Sequence, residues 1–327
     1  MPLPTTTPLT KPIINNKYSP STIVLANCGS TCFADSVLQI LYSIPSFRNS
    51  MLQYNGRDPC IERLKKLFLH MQNSNAIDQT WLKETLSSLF SALGNIYTLD
   101  IESDAREFML NLLDFIENKF SGSTKSFRGK NSTTIASQNL EISKTEDPFT
   151  IISLPLKDFT SLVRMVVDLF HELEMDYVLE NESSVPAKMS MKIADIPEIV
   201  ALSPNLLVHG SKTGTQIKLK NSISISFELD LGLYCSNEQK VDLELVALNV
   251  HIGNGSSGHY VAFVRDENNS QWILFNDLEP SPKSMSKEDM IKGYFHTSSC
   301  PSYGGFASPY LLIYRHKKGC HCSKCKK

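Results

Sequence analysis

Cys32 closes the run Asn27-Cys28-Gly29-Ser30-Thr31-Cys32, and an apolar stripe at helical spacing begins just behind it. Val37, Leu38, Ile40, Leu41 and Ile44 recur with the period of a helix, which predicts one starting close to Cys32 and ending before Pro45. A thiol at a helix N-terminus meets the positive end of the macrodipole, which favours thiolate over thiol. The same position also suits a buried structural cysteine. A nucleophilic thiolate needs a base within hydrogen-bond reach and a group to orient that base. Two late segments offer both. The glycine-rich stretch Gly253-Asn254-Gly255-Ser256-Ser257-Gly258 runs into an apolar strand with His259 at its entry. Glycines there let the backbone close around an extended peptide where a Cβ would clash. One hairpin further on, Trp272-Ile273-Leu274-Phe275 ends in Asn276 and Asp277. On adjacent antiparallel strands either side chain stands beside the imidazole, accepting the Nδ1 proton and leaving Nε2 toward sulfur. A sheet histidine and a β-turn Asn-Asp are the structural alternatives. Cysteine early, histidine and asparagine late is an order that lets a thiol, its base and the orienting group come from separate segments.

The elements that must position these groups fall into two halves. From about 21 to 120 the chain reads as helical, with apolar faces over Asp78–Leu93 (Trp81, Leu82, Leu86, Leu89) and Glu102–Phe120 (Ala105, Phe108, Met109, Leu112). From about 121 short β-rich runs take over: Phe149–Leu154, Lys188–Ile193 and Ser222–Leu229, with a helical island at Thr160–Leu173. The final third reads as strands over Leu243–Ile252, His259–Arg265, Trp272–Phe275 and Tyr310–Tyr314. Helices first and a mostly antiparallel sheet later define an α+β class.

Composition bounds the possibilities. The 327 residues are 41% hydrophobic and 20% charged, as in ordinary globular proteins. No apolar run reaches the roughly 18 residues of a membrane helix. Residues 1–20 hold five prolines and little to bury, so they read as a flexible leader rather than a secretory signal. Eight cysteines over this length form no disulfide framework, which fits reduced thiols inside a cell. The formal charge of −2 conceals a basic end, since Arg315 to Lys327 carries one Arg and five Lys with no acid. The remaining body is acidic, which suits a basic peptide partner and argues against nucleic acid. Cys320, His321, Cys322 and Cys325 are four soft ligands in six residues, too close together for easy tetrahedral closure on a metal.

Together these residues resemble the ubiquitin-specific proteases, a papain-like class of deubiquitinating enzymes. Their cysteine box reads roughly Gly-Leu-x-Asn-x-Gly-Asn-Thr-Cys-Tyr-x-Asn-Ser-x-Leu-Gln, and Asn27, Gly29, Thr31, Cys32, Ser36, Leu38 and Gln39 match it. Gly258-His259-Tyr260 and Trp272 to Asp277 resemble the histidine box. Ser103-Asp104-Ala105-Arg106-Glu107-Phe108 resembles the Gln-Asp-Ala-x-Glu-Phe element, and Tyr310 to Tyr314 echoes the closing strand. The resemblance covers about residues 23–315.

It implies a papain-like fold with a helical thumb (about 21–120), a β fingers insertion (about 121–202) and a β-sheet palm (about 203–316). Leader 1–20 and a basic, Cys-rich tail 317–327 flank it. It implies hydrolysis of the bond after the C-terminal glycine of ubiquitin, with no cofactor, in cytoplasm or nucleus. Cys32 takes the nucleophile's place, His259 the base's, Asn276 the third position, Asp277 the supporting carboxylate and Asn27 the oxyanion donor. Asp104, Arg106, Gly258 and Tyr260 fall where the substrate tail binds. Ubiquitin or its conjugates are the implied partners, with a regulatory protein a further one and no membrane. A weakly active ubiquitin-binding scaffold, a protease for a ubiquitin-like modifier and a general papain-like peptidase are the competing functions.

The chain also departs from the family. Residues 121–202 contain no cysteine, so the zinc-holding thiolates of many relatives' fingers are not there. The palm strand beginning Ile196-Pro197 carries Leu206-Leu207 in place of Arg-Phe, with Pro204 expected to remove a ladder bond mid-strand. Arg106 brings a cation to the expected path of an arginine-bearing tail. Ser30 and Asp35 replace asparagines. A carboxylate at Asp35 opposes a thiolate if it comes close, or faces solvent as a first-turn acid.

Overall fold

The structure, a computed structural model, describes residues 12–74, 76–155, 161–180, 182–209, 216–218, 223–237, 240–254, 257–295 and 305–317. The first elements are helices α1 (Cys32–Ser43), α2 (Pro45–Gln53), α3 (Pro59–Gln72), α4 (Gln79–Ala92) and α5 (Ala105–Lys119). Strands β1 (Gly129–Ser137), β2 (Leu140–Phe149) and β3 (Ile151–Leu154) follow, then helix α6 (Leu162–Leu169). Next come β4 (Leu173–Val178), β5 (Ser184–Asp195), β6 (Ile199–Pro204), β7 (Leu207–His209), β8 (Gln216–Lys218) and β9 (Glu228–Asp230). The chain ends with β10 (Asp242–Gly253), β11 (Gly258–Arg265), β12 (Trp272–Phe275), β13 (Lys283–Met285), α7 (Lys287–Tyr294) and β14 (Phe306–His316). This is the expected α+β order. No helix among the described residues is long and apolar enough to cross a membrane.

Two compact units result, and their division runs through β10 and β14. The first comprises Met1–Thr124, Leu207–Lys220 and Val246–Leu311. Its helices start where the sequence supplies caps. Asp58, Asp78 and Asp104 each accept first-turn backbone N–H groups at the heads of α3, α4 and α5, a contact worth about 1 kcal/mol apiece. Phe33 on α1, Phe90 on α4 and Phe108 on α5 meet with ring centroids 5.4 to 6.0 Å apart and bind these helices into one core. Buried Arg48 donates to the carbonyls of Tyr42, Asn15 and Lys17. Of the leader predicted over 1–20, that hydrogen-bonded stretch is visible, while 1–11 lies outside the described residues.

The sequence predicts α1 as a helix with one apolar stripe. Its span agrees, but every one of its residues is buried. In the same unit β11 pairs antiparallel with β10 on one side and with β12 on the other, and β12 pairs with β13. Helix α1 packs against β11.

The second unit comprises Lys125–Leu206, Asn221–Leu245 and Leu312–Lys327. Its four-stranded sheet, in the order β2-β1-β5-β4, is antiparallel throughout. Long ladders and ion pairs such as Lys188–Glu172 hold this cysteine-free insertion. Residues 312–315 of β14 pair antiparallel with β6, and β3 lies parallel on the other side of β6. Arg315 meets Glu244 at 2.8 Å with both side chains mostly buried.

Two expectations change here. Pro204 does not interrupt a strand; it is the last residue of β6, so its missing N–H falls where the ladder stops. The strand expected over Ser222–Leu229 shrinks to β9, because among its described residues a continuous ladder forms only from Glu228, on β10, and Ser224 makes just an isolated bridge to Ser161. Cys300 and the tail cysteines Cys320, Cys322 and Cys325 with His321 lie outside the described residues. Among those described, no group of three or more His, Cys, Asp or Glu could hold a metal.

The turn before α1 rests on Gly29. Its φ is +137°, and a Cβ there would stand 2.3 Å from the Leu99 carbonyl oxygen. Gly29→Ala should therefore destabilise the first unit by about 1–3 kcal/mol, read as a lowered urea midpoint with the far-ultraviolet spectrum unchanged before the transition.

Candidate active site

Segments far apart in the chain, all within the first unit, build the site. The cysteine loop is ordered by its own side chains. Asn27 Oδ1 accepts from Gly29 N–H at 2.8 Å, Cys28 N–H donates to Thr31 Oγ at 2.9 Å, and Thr31 Oγ donates to Asp35 Oδ2 at 2.7 Å. Cys32 follows as the first residue of α1, 4% exposed. Its thiol lies against the backbone of Tyr260, one residue beyond His259.

The helix-start argument for a thiolate at Cys32 loses to burial. Desolvation, with Asp277, Asp35 and Glu102 adding to it, pushes the thiol up to about 12. That rise is on the order of 4 kcal/mol, against at most about 2 kcal/mol from a helix terminus. Burial thus works against a lone thiolate, and a base that takes the proton would offset it.

His259 lies at the start of β11, and Asn276 follows β12 directly. The register pairs Ala262 with Phe275, which sets Asn276 diagonally across from His259. A diagonal neighbour is distant for a short side chain, so the ring reaches it with its far nitrogen. His259 Nε2 donates to Asn276 Oδ1 at 2.9 Å and stands 3.4 Å from Asp277 Oδ1. The sequence expectation had Nδ1 on this bond and Nε2 toward sulfur; the structure instead puts Nε2 on Asn276. With Nε2 protonated, Nδ1 is the basic nitrogen of the neutral ring.

Asn276 Oδ1 also accepts from Leu278 N–H at 3.3 Å, and its carbonyl takes Glu279 N–H at 2.9 Å. The β-turn reading and the histidine-orienting geometry therefore hold together. Asn27 N–H donates to the Asp277 carbonyl at 3.1 Å, joining the cysteine loop to the loop after β12. The Asp277 side chain is 4% exposed. Burial raises its carboxyl to about 6, while His259 and the Asn27 side chain pull it down. Neither carboxylate oxygen has a partner at full hydrogen-bond geometry.

The residues expected to bind a tail form a second cluster. Asp104 caps α5 through Arg106 and Glu107 N–H, and it also accepts from the Tyr310 hydroxyl. Tyr260 and Tyr310 rings lie 5.6 Å apart, with His251 packed on Tyr260 at 4.8 Å. Arg106 is half-buried and near enough to Tyr310 to influence its hydroxyl. Gly258 is required, because a Cβ there would stand 2.2 Å from His251 Nε2.

Sequence reasoning missed Glu102, which accepts from Gly258 N–H at 2.9 Å, and the site's use of His251 and Tyr310. These contacts link residues far apart in the chain, and no local spacing marks them. Asp35 is not a solvent-facing acid. It is 2% exposed, and burial followed by the Asp277 charge pushes its carboxyl well above the ordinary range.

A cysteine heading a buried helix, with a His–Asn pair on the adjoining strands of an α+β fold, defines the papain-like cysteine-protease architecture with its helical thumb, palm and fingers. The chain belongs to the ubiquitin carboxyl-terminal hydrolase family, whose model matches residues 23–314. Among its relatives, ubiquitin carboxyl-terminal hydrolase 26 of Oryza sativa subsp. japonica is 29% identical over 279 residues, covering 77% of this chain and 25% of that protein. Ubiquitin carboxyl-terminal hydrolase 8 of Saccharomyces cerevisiae is 26% identical over 325 residues, covering 82% of this chain and 68% of that protein. The chain thus spans about a quarter of the length of the rice relative. The solved SAGA deubiquitinase module Ubp8/Sgf11/Sus1/Sgf73 bound to ubiquitin aldehyde contains a similar fold. Its matching chain has a TM-score of 0.77 and 24% identity, with 93% of this chain and 71% of that chain covered.

A carboxyl whose folded pKa exceeds its unfolded value favours the folded state when protonated. The Asp277 contribution is therefore complete below about pH 4 and is lost as pH rises through about 6. Asp277→Asn should raise the urea midpoint above about pH 7 and leave it unchanged below about pH 4. An equal gain at both ends would mean that charge is not the cause.

Proposed function

We propose that the chain is a thiol-dependent deubiquitinase that hydrolyses the bond after the C-terminal glycine of ubiquitin. The carrying observation is the assembly of His259 Nε2 on Asn276 Oδ1 beside Asp277, whose carbonyl is bonded to the cysteine loop at Asn27. With Nε2 occupied in this way, His259 Nδ1 takes the proton from Cys32 as Sγ attacks the glycine carbonyl. Thiolate and imidazolium form together, which lowers the cost that burial sets on either charge alone. Asn276 holds the ring, and ionised Asp277 stabilises the imidazolium.

The oxyanion meets the Asn27 amide, whose Oδ1 accepts from Gly29 N–H and whose NH2 group, also acting on the Asp277 carboxylate, is the donor. His259 then protonates the departing lysine amine. Water, activated by the same imidazole, hydrolyses the thioester and restores the thiol. No step calls on a cofactor. The chain works in cytoplasm or nucleus in this reading, where thiols stay reduced.

The burial of Cys32 favours a second reading, a ubiquitin-binding scaffold that turns over slowly until a partner opens the site. A ubiquitin probe with a C-terminal electrophile separates the two. Labelling of Cys32 that is lost in Cys32→Ala supports the enzyme; tight ubiquitin binding without labelling supports the scaffold. In the enzyme, Asn27→Ala should lower kcat by about 100- to 1,000-fold with KM little changed. If Arg106 lines the path of an arginine-bearing tail, Arg106→Gln should lower KM for ubiquitin substrates with folding unaltered. Unchanged kinetics would place Arg106 off that path.

A further inference from the structure

Beside Asp277, within the first unit, lies a small cavity lined by Asp35, Gln39, Asp277, Leu25, Tyr260 and Phe275 among others. The space open to the centre of a water molecule is about 10 Å³, near the roughly 10–15 Å³ that one water requires. Its polar walls are unusual. Asp35 Oδ1 and Gln39 Oε1 are buried with no hydrogen-bond partner, each on a residue 2% exposed; neither Asp277 carboxylate oxygen has one at full geometry, with His259 Nε2 3.4 Å from Oδ1 and the Asn27 side chain acting on the same carboxylate. Their other atoms are committed. Asp35 Oδ2 accepts from Thr31, and Gln39 Nε2 donates to the Ile23 carbonyl at 3.0 Å, which fixes Oε1 as the end left over.

All four unsatisfied atoms are oxygens, so they cannot satisfy one another without hydrogens. One water brings two. A proton on Asp35 Oδ1 brings a third. The water then accepts from Asp35 and donates to Gln39 and Asp277, three bonds in all, the usual number for a buried water.

We propose that Asp35, Gln39 and Asp277 hold a single water and one proton, which makes Asp35 a positioning residue acting through Asp277 on His259. This deepens the deubiquitinase reading and rests on it for its kinetic consequence. Kept neutral, Asp35 supplies a donor where a second buried carboxylate would repel both Asp277 and a forming thiolate. It thereby does the work of an amide at the position where the resembled family carries asparagine. Burial and the neighbouring Asp277 charge both act in this direction on Asp35.

The groups facing this pair are few. Cys28 comes from the cysteine loop, Cys32 from α1 and Tyr260 from β11, all thiols or phenols pushed up and hence neutral near pH 7. Lys83 acts on Cys28, Glu102 acts on Cys32, and His259 stands beside Asp277. Of these carboxyls, Asp277 is the one that burial brings toward neutrality, to about 6.

The test uses the whole chain with carbon-13 in its aspartate carboxyls, together with Asp35→Asn and Asp35→Leu. Asp35→Asn keeps a donor, and Asp35→Leu fills the same volume without one. The expected results are an Asp35 signal in the protonated range through neutral pH and an Asp277 midpoint moved upward in Asp35→Leu but not in Asp35→Asn. With a fluorogenic ubiquitin substrate, the acid limb of kcat/KM should shift upward in Asp35→Leu. At neutral pH that variant should be at least about tenfold slower than Asp35→Asn. An ionised Asp35 at neutral pH, or Asp35→Leu and Asp35→Asn with the same pH profile, overturns the proposal. Should Asp35→Leu fail to fold, the Asp35 titration in the unaltered chain still decides. If the unaltered chain is not labelled by the ubiquitin probe, the deubiquitinase reading falls, and the carboxyl titrations judge the shared proton by themselves.

Discussion

Helix α1 is buried along its whole length, and the site follows from that constraint. A buried helix must satisfy each of its polar side chains inside the protein, because an unpaired one costs a few kcal/mol. Ser36 donates to the Cys32 carbonyl at 2.7 Å and accepts from Asn249 at 2.8 Å, which ties the helix head to β10. Asp35 takes Thr31, and Gln39 reaches Ile23. These bonds fix how the helix is rotated and how far it is advanced along its axis. Cys32 has one position as a result, against the backbone next to His259.

The same burial governs the chemistry. A thiol 4% exposed among Asp277, Asp35 and Glu102 is a poor acid, so burial opposes what the helix terminus favours. Proton transfer to an oriented imidazole is the route that the proposed mechanism takes. The orientation comes from the sheet: the diagonal between His259 and Asn276 selects the ring nitrogen that faces the asparagine. The neutral Asp35 proposed above fits a pattern in which one negative charge near the imidazole, on Asp277, is useful and a second would be harmful.

Much of this was legible in the residues. The span of α1, the helical first third, the entry of His259 into a strand and the end of β12 at Asn276 all follow from local rules of periodicity, turns and breakers. Local rules failed where partners come from elsewhere in the chain. Ser222–Leu229 has strand-like composition, but composition does not supply a neighbouring strand. Pro204 reads as an interruption until β6 is seen to end on it. An amphipathic pattern at α1 cannot tell a helix with one solvated face from one whose polar face is met by Asn249 and Asp277.

By itself the sequence determined the chemical parts and their order: an early thiol behind a Gly/Ser/Thr turn, a late histidine on a glycine-rich entry, and an Asn-Asp pair one hairpin later. Side-chain identity and short-range spacing carry that information, since turns, caps and strand alternation act over a few residues. Tertiary structure alone decided the protonation chemistry. It buried Cys32 and Asp35, turned Nε2 of His259 to Asn276, tied Gly258 to Glu102 and gathered unpaired oxygens around one small cavity. Desolvation and charge–charge coupling depend on what surrounds a group in space, and segments more than 200 positions apart provide those surroundings here.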